Sequence, residues 1–341
     1  MTNFFKNIPK NSIISIIGLA KNVSKTTTLN YLIKKLKSKY RLGLTSIGRD
    51  GEKYDVITQL PKPRIFIEKG IYVATAKESF ENSNISMELV KNTKINTPLG
   101  EVLILKALES GLIELAGPSI NKYLYKICLE LKNLGCDLIL IDGAFDRRSY
   151  ATPVISNATI LSTGASVSRN MKEVIDLTKH TVKLLTLESE TNEEISEIAK
   201  NLIENSKVGI INLDNTVKIL DVLTSLDIAK EIVEKLDNNS KYVVINGPIT
   251  DKLLEDLMKT TEMYKGLTFL VEDSTKLFLR RNTMEKFLKK GGILKVLYPI
   301  NIIAITINPT SPNGYEFNKK EFLKLLKENV ELPIYDLGAN N

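Results

Sequence analysis

Apolar residues fall along this chain in short blocks of two alternating kinds. Runs rich in β-branched residues, such as 13–17 and 136–141, predict buried strands. Between the strands, apolar residues recur every three or four positions, as at Leu29, Leu32, Ile33 and Leu36, and predict amphipathic helices. The alternation of strand and helix predicts an α/β protein with a mostly parallel sheet flanked by helices.

The same pattern predicts two domains. Further strands are expected at 42–47, 102–107 and 159–162, and residues 64–75 are typical of a hairpin that turns at Lys69-Gly70. The acidic, polar stretch 186–206 predicts a boundary, after which strands and helices resume up to a helix over 318–329. We therefore expect one domain over residues 1–190 and a second, smaller α/β domain over 205–341.

Residues 12–30 predict a phosphate-binding loop. The strand breaks at Gly18, and the pair Lys25-Thr26 opens the first helix. In such loops backbone N–H groups and the helix N-terminus face the anion, the lysine reaches the terminal phosphates and the threonine holds Mg²⁺. The sequence thus predicts a P-loop NTPase-like fold with ATP and Mg²⁺ as ligands. The predicted nucleotide-binding residues are Gly18, Lys21, Asn22, Ser24, Lys25, Thr26 and Thr27.

This loop departs from the usual pattern G-x-x-x-x-G-K-[ST] at two positions. Gly18 stands one residue early, and Ser24 occupies the place of the second glycine. The segment Val23-Ser24-Lys25-Thr26 resembles the longer loop of dethiobiotin synthetases, which accounts for the early glycine. A glycine there tolerates unusual dihedral angles. We expect a serine to be accommodated if its φ is negative, but to weaken nucleotide binding or slow hydrolysis.

Polar residues follow several predicted strands. Asp142 ends the apolar run 138–141, and this is the Walker B pattern in which a carboxylate beside the phosphate loop holds Mg²⁺. Arg147 follows closely and is predicted to clamp a phosphate or carboxylate. Asp50, after the second strand, is predicted to assist the metal or accept a proton. The Gly164 loop and Asn308-Pro309 are candidates for contacts with the nucleotide base.

Composition narrows the function classes. The net charge of +7 comes from lysines dispersed among nearly as many acids, so nucleic-acid binding is not expected. The single histidine, His180, rules out multi-histidine metal sites, and Cys128 and Cys136 fit buried core thiols. No apolar run approaches the ~20 residues of a membrane span, and a cytoplasmic protein is expected.

Several segments together resemble one protein family. They are 18–30, 42–52, Pro61-Lys-Pro-Arg64, Leu115-Ala-Gly-Pro-Ser119 and 141–148. They resemble KamB, the smaller subunit family of bacterial lysine 5,6-aminomutase reactivases. The resemblance implies a chaperone-like factor that uses ATP to help an adenosylcobalamin-dependent aminomutase exchange damaged cofactor, with a KamC-like, MutS-like ATPase subunit as partner. Consistently, the sequence has no Asp-x-His-x-x-Gly cobalamin-ligand motif.

Two other functions stay open at this stage. One is an ATP-dependent ligase or kinase of the dethiobiotin-synthetase kind, in which Arg49 and Arg147 bind a small carboxylate substrate. The other is a scaffold that does not hydrolyse ATP, with a phosphate loop degenerated at Ser24.

Overall fold

A computed structural model describes residues 8, 11–47, 64–143, 152–153, 155–220 and 228–337. The chain divides into two compact units, one formed by residues 1–179 together with 301–341, the other by residues 180–300. The predicted division near 190–205 differs from this one, because residues 301–341 belong to the first unit instead of continuing the second.

Within the described residues, nine strands form the main sheet of the first unit. They are β1 (Ser12–Gly18), β2 (Leu42–Ser46), β4 (Tyr72–Ala76), β5 (Met87–Thr97), β6 (Gly100–Ala107), β8 (Leu138–Asp142), β9 (Ala158–Gly164), β17 (Ile302–Asn308) and β18 (Ile334–Asp336). Their order across the sheet is β18-β17-β9-β1-β8-β2-β4-β6-β5, and all neighbours are parallel except the last two pairs. The predicted fold class, a mostly parallel sheet flanked by helices, is confirmed.

Helices cover this sheet on both faces. They are α1 (Lys25–Leu36), α2 (Lys77–Glu81), α3 (Asn121–Asn133), the start of α4 (Met171–Leu185) and α9 (Lys319–Asn329). The apolar stripe of α1 packs with Ile14 and Ile16 in one core cluster, whereas α3 packs with Ile139 and Ile141 in another. Strand β1 is therefore buried along its whole length, as expected of a run in which Ile13, Ile14, Ile16 and Ile17 are interrupted only by Ser15.

The second unit contains a smaller sheet. Its strands are β10 (Val208–Asn212), β11 (Val217–Leu220), β12 (Ser240–Val244), β14 (Thr268–Asp273) and β16 (Ile293–Tyr298), in the order β11-β10-β12-β14-β16. Its helices are α5 (Glu193–Glu204), α6 (Ile228–Lys235), α7 (Asp251–Thr260) and α8 (Arg281–Lys289), and β13 (Ile249–Thr250) pairs with β15 (Leu277–Phe278). The expected second α/β unit is thus present, inserted between β9 and β17.

Two local predictions are wrong. Residues 64–75 do not form a hairpin, because β3 (Ile65–Ile67) pairs with β7 (Gly111–Ile113) while β4 pairs with β2 and β6. The acidic stretch 186–206, predicted as a domain boundary, lies within the second unit, and most of it is α5. Ile195, Ala199 and Leu202 form the buried stripe of α5, and its acids lie outside that stripe. Apolar residues at this spacing form an amphipathic helix even where the composition is polar.

Both cysteines lie in the core, as predicted, with free thiols. Burial raises the pKa of Cys128 and of Cys136 to about 12. Neither thiol is therefore a nucleophile near neutral pH. Among the described helices, none combines the length and apolar character that a membrane crossing needs.

Candidate functional site

The first candidate site begins where the central strand stops. Strand β1 lies between β8 and β9 and runs parallel to both, so the three carboxyl ends meet at one edge of the sheet. Ligands of open α/β sheets bind beyond this edge. The loop that follows β1 spans only residues 19–24 before α1 begins at Lys25. This short connection brings the N-terminus of α1 to the carboxyl edge.

Gly18 permits the tight turn out of β1. A Cβ added at Gly18 would lie 2.6 Å from Val23 Cγ2 and 3.0 Å from Lys25 Cδ. The loop therefore folds back over the end of its own strand, and only a residue without a side chain leaves room for the fold. The side chain of Lys25 also folds back over the loop, and its Nζ donates to the carbonyl oxygen of Ala20 at 3.1 Å. The segment is a closed loop rather than an extended one.

Ser24 has the left-handed conformation, with φ 68° and ψ 31°. The condition of a negative φ is therefore not met. Glycine adopts this left-handed conformation readily, and the serine adopts it although a Cβ disfavours it. Asn22 is also left-handed, with φ 59°, which asparagine tolerates better than most residues. The loop thus passes through the left-handed region twice within the last three residues before α1.

The N-terminus of α1 is equipped for an anion. In the described part of the chain, no side chain caps this helix, and its first turn contains no acidic residue. The first N–H groups of a helix have no partner inside it and carry a partial positive charge. The ammonium of Lys25 adds a full charge nearby. Thr26 and Thr27, both half-buried, complete the first turn.

Asp142 lies at the same edge as the loop. It is the last residue of β8, and its Cα is paired in register with Ile16 of β1 and with Ser46 of β2. Gly143 N then donates to the Ile16 carbonyl at 2.9 Å, and a Cβ at Gly143 would lie 2.4 Å from that oxygen. The carboxylate thus emerges from a strand that is adjacent to the strand carrying the loop.

The structure brings together most of the predicted site residues. Gly18, Lys21, Asn22, Ser24, Lys25, Thr26 and Thr27 form one continuous loop and helix start, and Asp142 ends the neighbouring strand. The predicted catalytic residues Asp50 and Arg147 lie outside the described residues. In the described ranges, no group of three or more histidine, cysteine, aspartate or glutamate residues is arranged to hold a metal ion. A magnesium ion held by Thr26 and Asp142 would therefore complete its coordination with water and phosphate oxygens.

Two residues that are distant in sequence support the loop, Asn308 at the end of β17 and Ser166 in the turn after β9. Asn308 Nδ2 and Ser166 Oγ both donate to the carbonyl oxygen of Asn22, at 3.2 and 3.1 Å. Asn308 ends β17 and is in register with Gly164 of β9, and Ala165 N donates to the Asn308 carbonyl at 2.8 Å. The sequence indicated both segments, as candidates for base contacts. Asn308 and Ser166 are 286 and 144 residues away in sequence from Asn22, whose carbonyl they bond. No local sequence pattern predicts these two bonds.

Comparison with known proteins adds two distant structural similarities. No protein-family profile matches the chain, and no curated protein matches its sequence. The MinC:MinD cell division protein complex of Aquifex aeolicus aligns at 17% identity, covering 50% of this chain and 64% of the other, with a TM-score of 0.26. A structure titled pNOB8 ParA bound to nonspecific DNA aligns at 12% identity over 94% and 97% of the two chains, with a TM-score of 0.24. At such scores, neither similarity supports a statement about function.

Proposed function

We propose that this chain binds ATP with Mg²⁺ at the loop formed by residues 18–27. The observation that carries the proposal is the start of α1. This helix follows β1. Within the described residues no side chain caps it, its first turn contains no acid, and Lys25 folds over the loop. A helix start with these properties is suited to the phosphates of a nucleotide. Support for magnesium comes from Thr26 and from Asp142 on the adjacent strand.

Calorimetry on the full chain with ATP and Mg²⁺ tests this proposal. The charge-assisted bonds of Lys25 to phosphate are worth about 1.5–3 kcal/mol, so Lys25→Ala is expected to weaken binding by roughly 10- to 100-fold. Asp142→Asn is expected to reduce mainly the part of the affinity that depends on Mg²⁺. Lys35→Ala, on the exposed side of α1, serves as the matched control. Absence of ATP binding at millimolar nucleotide would contradict the proposal and favour the scaffold.

We further propose that ATP binding serves the reactivation of an adenosylcobalamin-dependent lysine 5,6-aminomutase. Support comes from the segments that resemble KamB and from the lack of a cobalamin-ligand motif. In this proposal, nucleotide stabilises one conformation of the chain, and the different affinities of the two conformations for the inactivated mutase favour release of its cofactor. A KamC-like ATPase subunit would act together with this chain.

A reconstituted reactivation assay tests this second step. Inactivated aminomutase, fresh cofactor and ATP are incubated with the wild-type chain or with Lys25→Ala, each with the partner subunit. Recovery of mutase activity that depends on the wild-type chain is expected, and Lys25→Ala should reduce it. Equal recovery with both proteins would remove the loop from the mechanism. ATP turnover with a small carboxylate, in the absence of any partner, would favour the ligase or kinase.

A further inference from the structure

A row of buried hydroxyl groups ends on the phosphate loop. Thr28 Oγ1, in α1, lies 3.0 Å from the carbonyl oxygen of Ser24 and 2.9 Å from Thr306 Oγ1 of β17. Thr306 Oγ1 in turn lies 2.8 Å from Ser162 Oγ of β9. All three residues are at most 1% exposed. We refer to Thr28, Thr306 and Ser162 as the hydroxyl row.

Thr28 is the donor at the loop end of this row. Its hydroxyl carries one proton and has two acceptors within reach, the carbonyl oxygen of Ser24 and Thr306 Oγ1. The contact with Thr306 keeps the Thr28 hydroxyl beside the Ser24 carbonyl, which also accepts the backbone N–H of Thr28 at 2.9 Å.

Fixing this carbonyl also fixes the amide that follows it. The C=O of Ser24 and the N–H of Lys25 belong to one planar trans peptide and point in opposite directions. Because the carbonyl is held toward the body of α1, the Lys25 N–H points out of the helix start, toward the loop. The bond also restrains Ser24, whose positive φ is unfavourable for a residue with a side chain.

We propose that Thr28, Thr306 and Ser162 are positioning residues that hold the Ser24–Lys25 peptide in the orientation that receives phosphate. This inference rests on the proposed binding of ATP and adds to it the residues that preorganise the site. Two of the three come from strands β9 and β17, and the second unit is inserted between them in the chain.

The chain contains a closely matched control. Thr178, in α4, is wholly buried, donates to the carbonyl four residues earlier, that of Val174, at 2.7 Å, and lies 2.9 Å from Thr163 Oγ1 of β9. Its surroundings repeat those of Thr28, but the carbonyl that it bonds belongs to the interior of a helix. Replacing Thr28 or Thr178 by valine removes one bond to a helix carbonyl and one to a strand hydroxyl. Only the replacement of Thr28 is expected to affect the loop.

Calorimetry with MgATP compares Thr28→Val, Thr28→Ser and Thr178→Val in the full chain. Loss of one hydrogen bond is expected to weaken binding about 5-fold in Thr28→Val. Thr28→Ser, which keeps the hydroxyl, should recover most of the affinity, and Thr178→Val should bind like the wild type. Equal affinity of Thr28→Val and the wild type, or an equal loss in Thr178→Val, would overturn the proposal. Thr306→Val takes the place of Thr28→Val if the latter does not fold.

Amide hydrogen exchange without nucleotide separates this inference from the proposed function. Thr28→Val should exchange faster than the wild type in peptides covering residues 19–28, and Thr178→Val should not. If the wild type binds no ATP, the proposed function fails, and the exchange comparison alone then decides whether the hydroxyl row holds the loop. Unchanged exchange in Thr28→Val would overturn the inference in either case.

Discussion

The first N–H groups of a helix have no acceptor inside the helix, and the starts of α7 and α1 differ in what is provided for them. Helix α7 follows a strand, as α1 does, but its N-terminus is satisfied by its own sequence. Thr250 accepts a hydrogen bond from Leu253 N at 3.3 Å, and Asp251 supplies an acid in the first turn. In α1 the corresponding Ser24 makes no such bond within the described residues, and its first turn has no acid. The start of α7 is thus stabilised by Thr250 and Asp251. Within the described residues, the start of α1 has no corresponding side chain.

The difference teaches which helix starts can serve as anion sites. The partial charge of the free N–H groups is common to all helices, so it does not identify a site. A start without a side-chain cap or an acid does not identify one either, because within the described residues α3 and α8 also begin in that way. What distinguishes α1 is its position, directly after β1 and the loop 19–24 at the carboxyl edge of the sheet, with Lys25 beside it. In α7 the carboxylate of Asp251 already accepts from Arg280 N at 2.8 Å and forms an ion pair with Arg280 Nε at 2.9 Å. An incoming phosphate would meet a negative charge there.

The largest expected effect comes from giving α1 the acid that α7 has. In Thr27→Glu, a carboxylate about 4 Å from phosphate opposes it by up to about 4 kcal/mol at an effective dielectric constant near 20. We expect MgATP affinity to fall at least about 50-fold by calorimetry, while the acid near the helix start leaves folding intact. Thr27→Gln is the neutral control. Equal weakening by both substitutions would assign the effect to size instead of charge.

A smaller effect is expected from removing the cap of α7. Thr250→Ala leaves the N–H of Leu253 without its acceptor, and the free energy of unfolding should fall by about 1 kcal/mol. Urea denaturation measures the loss, and Thr250→Ser, which keeps the oxygen, should recover it. MgATP affinity should not change. If affinity did fall, the capped start of α7 would also take part in nucleotide binding, and the contrast between the two helices would be lost.

The smallest effect is expected at Ser24 itself. Glycine adopts the left-handed conformation without the penalty of a side chain, but it loses more backbone entropy on folding, so Ser24→Gly should stabilise the chain by about 0.5 kcal/mol. MgATP affinity should be equal or higher. Ser24→Ala keeps the unfavourable φ and is the control in thermal unfolding. If alanine stabilised the chain as much as glycine does, the dihedral strain at this position would be refuted.

The sequence predicts the parts of the site that are local. A buried strand, the break at Gly18 and the pair Lys25-Thr26 lie within fifteen residues, and Asp142 ends a run of apolar residues that can be recognised alone. The positive φ of Ser24 was not predictable. The residue type argues against it, and bonds from elsewhere in the first unit support it. Asn308 and Ser166 have no local signature because their acceptor, the Asn22 carbonyl, is distant in sequence.

The fold shows the same division between local and distant information. Most strands and helices follow from their periodicity, including β12, β14, β16 and α9. The partner of a strand does not follow from periodicity. The turn at Gly70, where φ is 90°, is real, but it connects strands of two different sheets. The return of the chain to the first unit after residue 300 has no local sign, because β17 is as apolar and β-branched as the strands before it.

The insertion of the second unit also determines when the two parts of the first unit are synthesised. Strand β1 and its loop are synthesised before the second unit, and β17, which carries Asn308 and Thr306, follows about 280 residues later. At a typical rate of roughly 5–20 residues per second, the nascent chain waits on the order of tens of seconds for these contacts. The loop 19–24 is thus synthesised long before the residues that support it.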